Sequence, residues 1–373
     1  MSIYIIGLGL SVLLLYLTNR IKKNQRWIVS LIALLIPCLI AALRANTVGT
    51  DTSVYLVQIS NAALQSDSFK EYLNVTWLSS WRYKSVADYE IGFTVIVYIA
   101  AKIFHSITAV KFVIQALMIY PIYFALKKMD KERYMWLSFL VYSCMMYNSS
   151  YNVMRQFIAM SFVFLAFAYA VQNQYHGTLA FELIAFLFHT SAMLGILIYG
   201  LYVFVNKDTP VRMLKVFRSY SRMITAIFIG LLLIIATKVV AQIMSMIGLG
   251  GYTGYILGDL YFLPNQLLVR FPVFVLFFVL WKNMQKNEEW NSFLFVMLIY
   301  DLICSQFASV LSYSGRITWY FAQFEMITFP SLYLNSKKNK AVLIIIIGYL
   351  VFYWWYYYVN LNNGNTVPFE FYY

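Results

Sequence analysis

Twelve apolar runs, separated by short polar linkers and a few longer loops, decide what this chain can fold into. They lie near residues 3–19, 27–43, 91–104, 108–126, 134–147, 153–171, 178–205, 223–247, 267–281, 290–311, 317–334 and 341–359. Runs of this length cross a ~30 Å hydrocarbon core as helices. Composition points the same way. Hydrophobic residues make up 62% of the chain and charged residues 12%, whereas a soluble domain is nearer half apolar and a quarter charged. The expected fold is an all-α polytopic membrane protein of roughly 10–12 transmembrane or re-entrant helices. With 373 residues, the chain reads as one integral membrane domain over 1–373.

The net charge of +13 does not indicate a nucleic-acid partner, because of where the charge lies. Eighteen of the 28 Lys and Arg fall in five linkers: Arg20 to Arg26, Lys127 to Arg133, Lys207 to Arg222, Lys282 to Lys286 and Lys337 to Lys340. Basic linkers between apolar runs mark cytoplasmic loops. Cys38, Cys144 and Cys304 sit inside apolar runs without paired spacing, and the three His are scattered. No disulfide framework, metal site or cofactor is expected. Residues 3–19 read as a retained first span, with the N-terminus outside and Arg20 to Arg26 inside.

Residues 44–90 form a long outer loop carrying Tyr72, Trp77, Trp81 and Tyr83, suited to interfacial helices and amphipathic segments at the outer face. Residues 249–266 form a second outer loop, and the tail from Asn360 lies outside as well. Two topologies compete in between. If 91–126 crosses twice and 178–205 once, Lys127 to Arg133 lies outside. If 91–126 makes one net crossing and 178–205 folds back at His189, that basic loop is inside, and Arg155 and His189 approach the outer face. The second obeys the charge rule, and 28 residues is long for one crossing. Its weakness is a short span at 134–147.

No phosphate-binding glycine loop, nucleophile elbow or paired-His motif is present. Ionisable residues gather instead at span ends: Arg44 and Asp51, Glu90, Arg155, His189 and Arg316. Charges there are costly and usually functional. Each also has a plainer reading. Asp51 could cap a short helix, and Glu90 could complement a helix dipole. His189 could be a hydrogen-bonded structural residue. Arg155 could snorkel from a helix end, and Arg44 could be an interfacial anchor. Lys102, Glu182, Lys238, Asp301 and Glu325 read as internally paired or snorkelling. The Tyr353 to Tyr358 run reads as an interfacial aromatic belt.

Five segments in order carry a family resemblance: Gly49-Thr50-Asp51-Thr52-x-x-Tyr55, Glu90-x-Gly92-Phe93, Asn152-x-x-Arg155-Gln156-x-Ile158-Ala159, Phe188-His189-x-Ser191-Ala192 and Arg316-x-x-x-Tyr320. Val367-Pro368-Phe369 extends it to the tail. Together they resemble the EpsG family of bacterial polysaccharide polymerases, relatives of the Wzy-type O-antigen and capsule polymerases. Phe93 stands where the family more often has Tyr.

The resemblance implies a glycosyltransferase of GT-C-like architecture in the bacterial cytoplasmic membrane. Such an enzyme moves a growing glycan from undecaprenyl diphosphate to a lipid-linked repeat unit at the outer face. Asp51, Glu90 and His189 are then candidate catalytic groups, since the acceptor hydroxyl must lose a proton. Arg44, Tyr55, Arg155, Gln156, Tyr313, Arg316 and Tyr320 are candidate substrate-binding groups, with arginine forks suited to a diphosphate. The implied partners are the lipid-linked oligosaccharide and membrane lipids, with a chain-length regulator left open. An O-antigen ligase or a polyprenyl-phosphate-sugar glycosyltransferase would share the outer site, although the short 249–266 loop favours a polymerase. A flippase of the same lipid-linked unit would instead show a polar path through the membrane and internal repeats.

Overall fold

The computed structural model describes residues 1–79, 82–131, 134–206, 222–232, 262–287, 290–306 and 314–372. Tyr313, Lys238, Trp81 and most of the expected 249–266 loop lie outside the described residues. The described chain is dominated by helices. Four are long and apolar enough to cross a membrane: Ser2–Arg20, Arg26–Leu43, Ile107–Lys128 and Lys340–Asn360. Eight shorter apolar helices accompany them among the described residues. The protein is a helical membrane protein.

The chain divides into two compact units, Met1–Gly195 with Leu350–Tyr373, and Ile196–Tyr349. In the first unit, α1 (Ser2–Leu17) and α2 (Arg26–Leu43) form a hairpin. The 44–90 segment then folds as a one-turn π-helix (Thr52–Leu56), α3 (Val57–Gln65), α4 (Phe69–Asn74) and an antiparallel pair, β1 (Thr76–Ser79) with β2 (Arg82–Ser85). The hairpin is the one piece an all-α expectation omits. Its Thr, Trp and Tyr residues suit a pleated, half-buried surface. Next come α5 (Ile91–Phe104), α6 (Ile107–Lys128), α7 (Met135–Val141), α8 (Met154–Ala170) and α9 (Tyr175–Phe188).

One end of this unit collects the basic linkers. Tyr16 near the end of α1 packs on Trp136 at the start of α7, with ring centroids 5.5 Å apart. Lys128 at the end of α6 lies over the Tyr169 ring near the end of α8, and the Gln172 amide donates to the Lys128 carbonyl. The other end collects the polar motifs. There Lys111, in the second turn of α6, donates to the Arg44 carbonyl at 2.6 Å, and Glu90 before α5 meets Arg155 at the start of α8.

Helix α5 therefore begins and ends at the motif-bearing end. At 14 residues it is about 21 Å long, short of a full crossing. The 91–126 stretch makes one net traverse, carried by α6. At the end of α9 the chain turns at His189 through a 3-10 segment (Thr190–Met193). It folds back so that Gly195 packs against the Glu182 carboxylate. These are the connections of the charge-rule topology: Arg155 and His189 share an end with Arg44, and Lys127 shares one with Arg20.

The second unit contains α10 (Leu194–Asn206, from Ile196 on), α11 (Arg222–Leu232), α12 (Pro264–Val279), α13 (Trp281–Asn287), α14 (Asn291–Gln306), α15 (Ser314–Ala322), α16 (Glu325–Asn335) and most of α17 (Lys340–Trp354). Its main polar tie is Arg270 on α12, which donates to Asp301 on α14 at 2.5 and 3.0 Å. Asp301 is thus internally paired, whereas Glu325 is buried with its Oε2 unpartnered among the described residues.

Candidate functional site

The loop after α2 is shaped by three backbone requirements. Gly49 has φ +86°, and a side-chain carbon there would lie 2.8 Å from the Tyr151 Cβ. Only glycine meets both the left-handed backbone and the close approach. The Gly49 N–H donates to the Asn365 carbonyl at 3.1 Å, and the Ala45 N–H to the Glu370 carbonyl at 2.7 Å. The C-terminal tail therefore straps the loop. The Asn152 side-chain oxygen accepts from the Thr50 N–H at 2.6 Å and from the Thr50 hydroxyl at 3.0 Å.

Beneath the loop lies Arg44, only 1% exposed. Its guanidinium sits 4.2 Å over the Tyr151 ring, donates to the Thr52 hydroxyl at 3.3 Å, and donates to the Ala41 carbonyl. A cation this deep is held by ring faces and carbonyl dipoles. It braces the loop from inside.

Asp51 precedes the π-helix but makes no side-chain cap bond to it. Its Oδ2 accepts from the Tyr55 hydroxyl one turn later, at 2.8 Å. The Arg155 guanidinium lies 5.4 Å from the Tyr55 ring and 4.9 Å from the Tyr89 ring. Arg155 also pairs with the Glu90 Oε2, the two side chains 25% and 21% exposed. Asp51, Tyr55, Arg155 and Glu90 thus form one chain of contacts, assembled from three motifs more than 100 residues apart at the extremes. Trp77 stacks on Tyr89 at 6.0 Å and 14°, which extends the cluster onto the hairpin. Burial, and next the Asp51 carboxylate, push the Tyr55 phenol well above its ordinary pKa. Burial pushes Tyr89 up to about 12. Both phenols therefore stay neutral at neutral pH.

His189 joins this end through a second close approach. A side-chain carbon on Gly92 would lie 2.7 Å from the Leu187 carbonyl oxygen, so glycine lets the first turn of α5 meet the last turn of α9. The His189 Nδ1 accepts from the Ser191 N–H at 3.1 Å and from its hydroxyl at 2.7 Å. That fixes the neutral tautomer with the proton on Nε2. The imidazole caps the 3-10 segment.

The EpsG family profile matches residues 27–371, nearly the whole chain. The chain belongs to the EpsG family. No curated protein and no solved structure matches it. Membership points to a polysaccharide-polymerase type of function in a membrane, in keeping with the apolar helices.

The other family-motif residues fall as follows. Gln156 is 2% exposed and packed into α8. Arg316 is exposed on α15 and Tyr320 is fully buried; both belong to the second unit. Tyr313 is outside the described residues. Tyr89, Trp77 and Asn152 join the cluster although sequence reasoning did not select them. Asn152 stood in a quoted motif, and Tyr89 directly precedes Glu90, but neither carries a charge to draw notice.

Proposed function

We propose that this chain is a glycosyltransferase that polymerises a lipid-linked polysaccharide repeat unit. Its reaction would lie at the outer face of the cytoplasmic membrane, on a GT-C-like scaffold. The observation that carries the reading is the Asp51–Tyr55–Arg155–Glu90 chain of contacts, set beside aromatic faces in a member of this family.

The donor is the growing glycan on undecaprenyl diphosphate, and the acceptor is a hydroxyl of the next lipid-linked unit. The bond from the anomeric carbon to the diphosphate oxygen breaks, and one to the acceptor oxygen forms. The leaving diphosphate gains negative charge, which a fixed guanidinium stabilises as it develops. Arg155 is assigned that role, with Glu90 orienting it. The acceptor proton goes to a carboxylate. Asp51 is assigned as that base, steadied by the Tyr55 hydroxyl. Trp77, half-buried on the hairpin, offers an apolar ring face of the kind sugars stack on, backed by the buried Tyr89 and Tyr55 rings. Arg316 enters the proposal from its motif alone.

The test is reconstitution of the full chain with lipid-linked repeat units and detection of glycan ladders. Wild type should form ladders, Arg155→Ala and Asp51→Asn should lose them, and Arg316→Ala should weaken them. Normal ladders from Arg155→Ala would remove the proposed diphosphate site. Movement of units across the bilayer without ladders would replace the enzyme with a transporter.

A further inference from the structure

Away from the motif cluster, unit one holds a cleft of about 940 Å³ between α6, α8 and α9. That is at the upper end of the ~300–1,000 Å³ seen for ligand clefts. Its walls are almost wholly apolar, among them Phe112, Ala116, Leu165 and Phe181. Phe162 and Phe181 stack at 6.3 Å and 19° across α8 and α9, and Phe124 on α6 is 47% exposed. The polar groups gather at one end, where Lys127, Lys128 and Asp130 line it.

From Phe112 to Lys128 the cleft follows α6 for 17 residues, about 24 Å, more than the ~15 Å depth of one leaflet. Its basic end is also the end that carries Arg20 and Arg26. The Lys128 ammonium lies 4.3 Å over the Tyr169 ring, and Lys127 is exposed. Asp130 offsets one of the two lysines, so the mouth keeps a single net positive charge.

We propose that this cleft is a binding site for an anionic phospholipid, its acyl chain along α6 and its phosphate on Lys127 and Lys128. Basic pockets between spanning helices take anionic headgroups in this way, and the apolar wall supplies the rest of the fit. The lipid is not the reacting one. Arg155 and Tyr169 are 14 residues apart on α8, about 21 Å, so a phosphate held at Lys128 is far from the Asp51–Arg155 cluster. The proposal stands on the cleft and its charge, independent of the assigned reaction.

The test is native mass spectrometry of the full chain in detergent, titrated with dioleoyl phosphatidylglycerol or dioleoyl phosphatidylcholine. Wild type should retain one phosphatidylglycerol at least tenfold more tightly than phosphatidylcholine. Lys127→Glu/Lys128→Glu should remove that preference, and Ala116→Trp, which fills the cleft and leaves the lysines, should remove retention of both lipids. Arg20→Glu/Lys22→Glu, at the same end but off the cleft, should change neither. Equal retention of the two lipids by wild type would overturn the proposal. So would an equal effect of the Arg20/Lys22 pair, or displacement of phosphatidylglycerol by equimolar undecaprenyl phosphate. Lys127 is exposed and Lys128 half-buried at the mouth of the cleft, so the charge-reversal arm does not depend on Ala116→Trp folding.

Discussion

The side-chain oxygen of Asn152 accepts from both the backbone N–H and the hydroxyl of Thr50, at 2.6 and 3.0 Å. One neutral amide therefore ties the start of α8 to the residue just before Asp51. Losing two such bonds costs about 1–3 kcal/mol. Asn152→Ala should lower the rate of glycan-ladder formation by roughly tenfold or more. Asn152→Asp keeps the acceptor oxygen and should retain more activity than Asn152→Ala. Equal loss in both would mean the amide nitrogen, not the oxygen, matters.

The Arg155–Glu90 pair is one-quarter and one-fifth exposed, so water screens it and its worth to stability is modest. Its effect should appear in activity instead. Arg155→Ala should lower ladder formation by about 100-fold or more, as for removal of a preorganised charge, with a melting temperature close to wild type. Arg155→Lys should recover little, because a point charge lacks the guanidinium fork. Glu90→Gln should fall between, since it frees Arg155 to wander without removing it.

Gly92 lets α5 and α9 approach until a side-chain carbon would sit 2.7 Å from the Leu187 carbonyl oxygen. Backbone on both sides leaves no flexible atom to yield. Gly92→Ala should therefore part the two helices and cost about 1–3 kcal/mol, the usual penalty for overpacking. A melt in detergent should show the drop, and His189 should become more reactive toward diethyl pyrocarbonate as its loop separates from α5. Gly348→Ala, where nothing lies within 4 Å, should leave both measurements unchanged.

How much of this was legible in the residues follows from which forces act locally. Apolar runs and basic linkers reported the helices and the turn at His189, because burial in lipid and loop charge are properties of single segments. The motifs drew notice to Asp51, Glu90 and Arg155 because charges near lipid are conspicuous. What they touch was not legible. Asp51 was open to a capping reading, yet its carboxylate bonds Tyr55 instead. Arg44 looked like a site residue at the mouth of a span, but tertiary packing places it beneath the loop over Tyr151. The β1–β2 hairpin escaped because eight residues in a 47-residue loop give too short a pattern. The non-crossing path of α5 became visible only through the ties of Glu90 and Lys111 to distant segments.

The tail offers the widest lever on the loop. Thr366 receives the Tyr4 hydroxyl on its carbonyl at 2.8 Å and the Asn148 amide on its hydroxyl at 3.0 Å. Asn365 and Glu370 receive loop N–H groups, and the Tyr372 N–H donates to the Leu43 carbonyl at 2.9 Å. The Thr47 hydroxyl donates to Glu370 at 2.9 Å. These bonds hold residues 43–49, and Gly364 of the tail packs against the Asn152 side chain, so the stretch leading to Asp51 is held by the tail and by Asn152 together. A chain ending at Leu361 should still insert, because its spans are intact, but its 43–52 loop would lose the tail's clamp. Ladder formation should fall by at least tenfold while membrane abundance stays near wild type, and protease cleavage in the 44–52 segment should accelerate. Thr366→Val removes the hydroxyl acceptor alone and leaves the backbone bonds, so it should give a smaller loss. If the truncated chain is fully active and equally protected, the tail does not position the loop, and Asn152 with Arg44 suffices.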